Sequence, residues 1–136
     1  MPFYQVFYPA SSLSSDTKAK LAEGITQAHS SIAGAPPDAV KVAFVSVAAD
    51  DLYSSGKPEQ AVIRVVGLIK GGRDANTRAR LLAGLHAVFE QSAPSTVAAE
   101  ISLIENRVED TVRYAGAETQ GKVKEWAAVA PPKRDL

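Results

Sequence analysis

The sequence predicts an α+β fold, a duplicated β-α-β unit closed into a two-layer sandwich with a four-stranded sheet and two helices on one face. Short stretches rich in aromatic and branched residues alternate with longer ones whose apolar residues recur at three- and four-residue spacing. The order strand, helix, strand runs twice. The halves also match residue by residue: Lys20-Leu21-Ala22-Glu23-Gly24-Ile25 stands against Arg80-Leu81-Leu82-Ala83-Gly84-Leu85 sixty positions on, and Ala35-Pro36 against Ala93-Pro94 at nearly that offset. A solenoid needs about three or more stacked repeats; two β-α-β units can instead share one sheet.

Phe3-Tyr4-Gln5-Val6-Phe7-Tyr8 reads as a strand that stops at Pro9. Ser14 or Ser15 caps a helix from about Asp16 to Ser31, with Ala22, Ile25, Ala28 and Ile32 as its apolar stripe and Gly34 and Pro36-Pro37 as its stop. Val40 to Val47 is the second strand, and Asp50 to Gln60, with Gly56 and Pro58, is a loop or hairpin. The scheme then restarts. Ala61 to Ile69 is a near-continuous apolar strand, Gly71-Gly72 breaks it, and Asp74 caps a helix whose face is Leu81, Leu82, Leu85, Val88 and Phe89. Ala98 to Glu105 is the fourth strand. The strands are apolar on both sides, so the face away from the helices is expected to be buried by copies of the chain.

A length of 136 residues with 46% hydrophobic content suits one domain over residues 1–136, with 116–136 as a C-terminal arm. Fifteen basic and fifteen acidic side chains cancel, which removes the global positive field that nucleic acid or an anionic membrane surface would need. Without cysteine there is no thiolate nucleophile or thiolate metal site, and two separated histidines make a poor metal cage. The polar first twenty residues lack a signal-peptide core and no apolar run reaches membrane-spanning length, so a cytoplasmic location is expected.

Pro2 is the first candidate for chemistry. Met-Pro means little alone, but here Pro2 directly precedes a strand, which would hold its nitrogen rigidly. Freed of Met1, that nitrogen is a secondary amine, and an α-amino group titrates near about 7.7–8.0, within reach of either acid or base work. His29 late in the first helix reads equally as a packed side chain or a ligand-facing one, His86 as structural, and Tyr4 and Tyr114 as core or interface residues. Arg73 just before a helix start is disfavoured by the helix dipole, which points to a role beyond solvation. The 67–72 stretch has neither the phosphate-loop ending nor the dinucleotide glycine spacing.

Pro2 opening a strand, Ile25-Thr26-Gln27-Ala28-His29, and Gly67-Leu68-Ile69-Lys70-Gly71-Gly72-Arg73 together resemble the tautomerase superfamily, within it the group similar to cis-3-chloroacrylic acid dehalogenase. The resemblance covers about Pro2 to Tyr114. It implies a homotrimer without cofactor, in which Pro2 faces cationic residues that grip a small carboxylate-bearing substrate. His29, Lys70, Arg73 and Arg113 are the substrate-binding candidates it implies, Lys70 standing where the group has an arginine. The group's strand-four tyrosine falls near Leu103 or Ile104, and its Val-Glu-Tyr-Gly becomes Val112-Arg113-Tyr114-Ala115. Loss of that carboxylate favours a tautomerase with Pro2 as base on a 2-oxo acid or enol over a hydratase or dehalogenase with Pro2 as acid. A noncatalytic binding protein and a dimeric ferredoxin-like barrel are the other readings the sequence admits.

Overall fold

The first strand, β1 (Phe3–Pro9), carries the alternation of a sheet with one covered face: Tyr4, Val6 and Tyr8 are buried and Phe3 is exposed. The computed structural model describes residues 2–114 and 116. α1 (Ser15–Ala33) starts where Ser14 accepts a hydrogen bond from the Thr17 amide and ends at Gly34, whose φ of 81° only glycine adopts cheaply. β2 (Lys41–Val47) follows, then a hairpin of β3 (Tyr53–Ser54) and β4 (Lys57–Pro58). Ser55 and Gly56 turn that hairpin with φ of 53° and 73°, both positive as a type I′ turn requires. β5 (Val62–Lys70), α2 (Ala75–Ser92) and β6 (Ala98–Asn106) repeat the plan, with Asp74 capping α2 through the Thr77 amide.

The main sheet has the order β2-β1-β5-β6. Each β-α-β unit pairs its own two strands in parallel, and the units join through the antiparallel pair β1–β5, with Val6 opposite Val65. A ferredoxin-like fold splits each β-α-β unit with an intervening strand; adjacent parallel pairs rule it out. Both predicted helices and all four predicted strands are present, each within two residues of its expected start.

The helices bury matching rows, Leu21, Ile25 and His29 on α1 against Leu81, Leu85 and Phe89 on α2, each pair sixty positions apart. Of the stripe expected on α1, Ile25 belongs to this row, while Ala22, Ala28 and Ile32 are partly buried. Ala28 and Ile32 pack toward Gly84 of α2, while the row one step round meets the sheet. Leu82, expected on the buried face of α2, is 37% exposed because it lies on the flank turned away from α1. Tyr4, Val6, Ile63, Val65 and Ile69 complete the core from the sheet. Gly67 makes room for the Tyr4 ring, since a Cβ there would stand 2.5 Å from Tyr4 Cε1.

The sheet's other face carries Phe3, Val45, Leu68 and Ile104, each between 36% and 52% exposed. The register places Phe3, Leu68 and Ile104 side by side across three strands. The chain divides into two units, Met1–Asn106 and Arg107–Leu136. The described part of the second holds a 3-10 turn, Val108–Asp110, with Arg107 bonded to Asp110 at 2.8 Å and 3.2 Å. The arm expected over 116–136 falls, Gly116 apart, outside the described residues. Among the described residues no helix is long and apolar enough to cross a membrane.

The helix crossing gives a direct test. A Cβ on Gly24 would meet Val88 Cγ1 at 2.6 Å, and a stiff branched side chain cannot retreat; on Gly84 it would meet the movable Ile32 Cδ1 at 2.8 Å. Overpacking at Gly24 is expected to outweigh the helix-propensity gain, so Gly24→Ala should lose about 1–2 kcal/mol while Gly84→Ala stays within about 1 kcal/mol of wild type in denaturant unfolding.

Candidate active site

Antiparallel pairing of β1 with β5 sets the start of one strand beside the end of the other. Pro2 therefore lies at the sheet edge where β5 runs into the Gly71-Gly72-Arg73 loop, and its carbonyl accepts the Lys41 amide at 3.0 Å. Pro2 is buried, and strand alternation carried back one step puts it on the helix-facing side with Tyr4.

His29 is fully buried between α1 and the sheet. Its Nδ1 lies 2.7 Å from the Tyr4 hydroxyl, with the two rings edge-on at 5.6 Å. Its Nε2 is buried and has no hydrogen-bond partner among the described residues. Burial, then the Arg73 guanidinium and the terminal ammonium charge, hold the imidazole pKa down to about 4. The ring is thus neutral near pH 7. Burial pushes the Tyr4 phenol well above its ordinary range, with Arg73 acting weakly the other way.

Arg73 acts on both groups from the loop after β5. Its guanidinium donates to the Lys70 carbonyl at 2.6 Å and to the Ala33 carbonyl at 3.4 Å, near the C-terminal end of α1. A cation belongs at that negative end. The cost anticipated at the start of α2 is offset at the end of α1.

The duplication supplies an internal control. Sixty positions from His29 stands Phe89, and sixty before Arg73 stands Leu13, both buried and apolar. A twofold through the Val6–Val65 pair carries Tyr4 onto Ile63, also buried. One end of the sandwich thus has tyrosine, histidine and arginine where the other has isoleucine, phenylalanine and leucine. That other end has a cavity of about 210 Å³ lined by Pro9, Ala10, Ser11, Ser12, Ala49 and Gln60, with no charged side chain. The other end also has a buried side-chain atom without a partner among the described residues, Ser12 Oγ, but the polar end adds titratable groups to its unpartnered His29 Nε2 and is the stronger candidate for chemistry.

The structure brings Pro2, His29 and Arg73 to this end and separates Lys70 from His29. Ile69 is the buried residue at the end of β5, so Lys70 belongs to the alternate set on the open face and is exposed. Arg113 lies in the second unit. His86 is exposed and faces Glu90 at 3.4 Å. Tyr4, read from sequence as a core residue, is buried but also holds His29; its hydroxyl was a signal, yet one that Tyr8 on the same inward row shares. No group of three or more His, Asp or Glu side chains that could hold a metal ion occurs among the described residues.

Residues 1–121 match the Tautomerase_3 family model, described as "Putative oxalocrotonate tautomerase enzyme". The chain belongs to this tautomerase family. No curated protein matches it. Among solved structures, native Ps01740 is 22% identical over 82% of this chain and 99% of its own, with a TM-score of 0.76. N1, a member of the cis-3-chloroacrylic acid dehalogenase family, is 26% identical over 95% and 92%, with a TM-score of 0.67. The wild-type R7 fused 4-OT, an asymmetric trimer, is 21% identical over 88% and 98%, with a TM-score of 0.72.

The state of His29 has a consequence for stability. Its folded pKa lies below that of an unfolded histidine, so the unfolded chain binds the proton more tightly. Stability is full above about pH 6.5 and declines as pH falls toward about 4, by a total on the order of 3 kcal/mol. His29→Phe, which copies Phe89, should unfold with a flatter pH dependence in that window. An unchanged slope would mean that His29 is not held neutral.

Proposed function

We propose that the chain is a cofactor-independent tautomerase in which the amine of Pro2, freed by removal of Met1, is the general base on a small 2-oxo acid or its enol. The observation that carries the reading is the buried Nε2 of His29, without a partner among the described residues and within reach of the Arg73 charge, at the end of the sheet where Pro2 leads into β1. Burial and a nearby cation both favour a neutral amine. Such an amine takes the hydroxyl proton of the enol, leaving an enolate, and returns it to the carbon next to the new carbonyl, so no atom is gained or lost. His29 and Arg73 hold the carboxylate, and the Arg73 charge steadies the enolate oxygen.

Lys70 and Arg113 enter as further cations for the substrate. Lys70, exposed on the open face, would serve a site only across an interface with another copy. A homotrimer fits this reading, since it would cover Phe3, Val45, Leu68 and Ile104, and the R7 fused 4-OT of the same fold is a trimer.

The test compares mature protein, with Met1 loss established by intact mass, against Pro2→Ala and Arg73→Ala. Enol ketonisation of an aryl pyruvate should fall about 10²-fold in kcat for Pro2→Ala. For Arg73→Ala, KM should rise about tenfold or more, the scale of a lost charge-assisted hydrogen bond. Halide release from a 3-haloacrylate exceeding ketonisation would favour the hydratase or dehalogenase reading instead. Full ketonisation activity in protein that retains Met1, where Pro2 nitrogen is a tertiary amide, would overturn the mechanism.

A further inference from the structure

We infer that Tyr4 is a positioning residue that fixes the tautomer of His29, so that the ring offers a neutral Nε2–H donor to the carboxylate of the substrate. The substrate half of this inference rests on the reading of the site given above; the tautomer half stands on geometry alone.

A neutral imidazole has one donor nitrogen and one acceptor. Two arrangements fit the 2.7 Å contact between the Tyr4 hydroxyl and His29 Nδ1. If Nδ1 carried the proton and donated to the phenol oxygen, the buried Tyr4 hydroxyl would have a donor without an acceptor. Nε2 would then be a buried acceptor without a donor. If Tyr4 donates to Nδ1 instead, the Tyr4 O–H and the Nδ1 lone pair satisfy each other and the Nε2–H is the donor left over. Each arrangement leaves one buried donor unmet, but only the first also leaves the Nε2 lone pair unmet, and each unmet buried group adds its own cost, so the second arrangement wins. It leaves the buried Nε2–H without an acceptor among the described residues, and a carboxylate oxygen is the group that would accept from it.

Three features hold the arrangement. Tyr4 is completely buried, and Gly67 admits its ring at a distance that any side chain would deny. The charged and titratable groups around His29 are the Tyr4 phenol, the Arg73 guanidinium and the N-terminal amine; the Arg73 cation opposes protonation of the ring, and so does the amine whenever it is charged. The phenol does not ionise in the working range, so its proton stays on the bond to Nδ1. His29 is then a donor whose strength does not vary with pH between about 5 and 8. The apolar end of the sandwich has Ile63 and Phe89 in the corresponding places and can make no such donor.

The experiment has two arms on the full-length mature protein. Ring-nitrogen NMR of ¹⁵N-histidine protein at pH 7 reads the tautomer without any need for activity. Nδ1 of His29 is expected in the unprotonated range and Nε2 in the protonated range, with the preference lost in Tyr4→Phe, which keeps the buried ring. A protonated Nδ1 in wild type overturns the proposal. The second arm measures binding of phenylpyruvate and of its methyl ester. Tyr4→Phe should weaken the acid about tenfold and leave the ester within about twofold of wild type, a split that a general loss of packing would not give. Equal weakening of both overturns the substrate half. Wild type that binds no acid refutes the reading of the site, and the NMR result then judges the tautomer by itself.

Discussion

The antiparallel register of β1 on β5, centred on Val6 opposite Val65, decides what can meet what in this molecule. Each β-α-β unit is internally parallel, so neither alone could bring a strand start beside a loop that leaves a strand end. Joined head to tail, they set the chain's beginning against the β5–α2 loop and the last turn of α1. The same register makes the two ends of the sandwich equivalent in backbone. Side chains make them differ at a few places: Tyr4 against Ile63, His29 against Phe89, Arg73 against Leu13.

That difference has a physical cost. At these three positions one end has an aromatic ring and two aliphatic chains, which need no hydrogen-bond partner. At the other, a phenol, an imidazole and a guanidinium must be satisfied, and one buried nitrogen is not. An unmet buried donor costs on the order of 1–3 kcal/mol, and a duplicated fold with an apolar solution already in hand has no packing reason to accept it. Groups of this sort concentrate where a ligand completes them. The Arg73 guanidinium follows the same logic. It spends donors on the carbonyls of Lys70 and Ala33, which anchor it at the end of α1 and aim its field at both Tyr4 and His29.

Much of this was legible in the sequence. Alternation in Phe3 to Tyr8, the caps at Ser14 and Asp74 and the sixty-residue echo between Leu21-Ile25 and Leu81-Leu85 suffice for the elements and the sheet. Local signals decide such features, so they survive without tertiary information. The deepest row of α1 was less legible, because periodicity alone does not say whether the sheet or the other helix takes Ala28 and Ile32; Gly84 decides that. Pro2, His29 and Arg73 could be singled out from residue type and spacing, whereas the bond between Tyr4 and His29 depends on a long-range approach of strand and helix that no local pattern encodes. Lys70 shows the converse. Its spacing from Arg73 places both on one turn, yet the parity of β5 sends its side chain to the open face.

The account stands or falls on which end of the sandwich receives the substrate. The most direct measurement is a crystal structure of the mature protein with a bound, slowly reacting 2-oxo acid. The account predicts a carboxylate oxygen within hydrogen-bond distance of His29 Nε2, Arg73 close by and the Pro2 nitrogen facing the reacting carbon. Ligand bound instead in the cavity between Pro9–Ser12, Ala49 and Gln60, with His29 Nε2 still unpartnered, would contradict it.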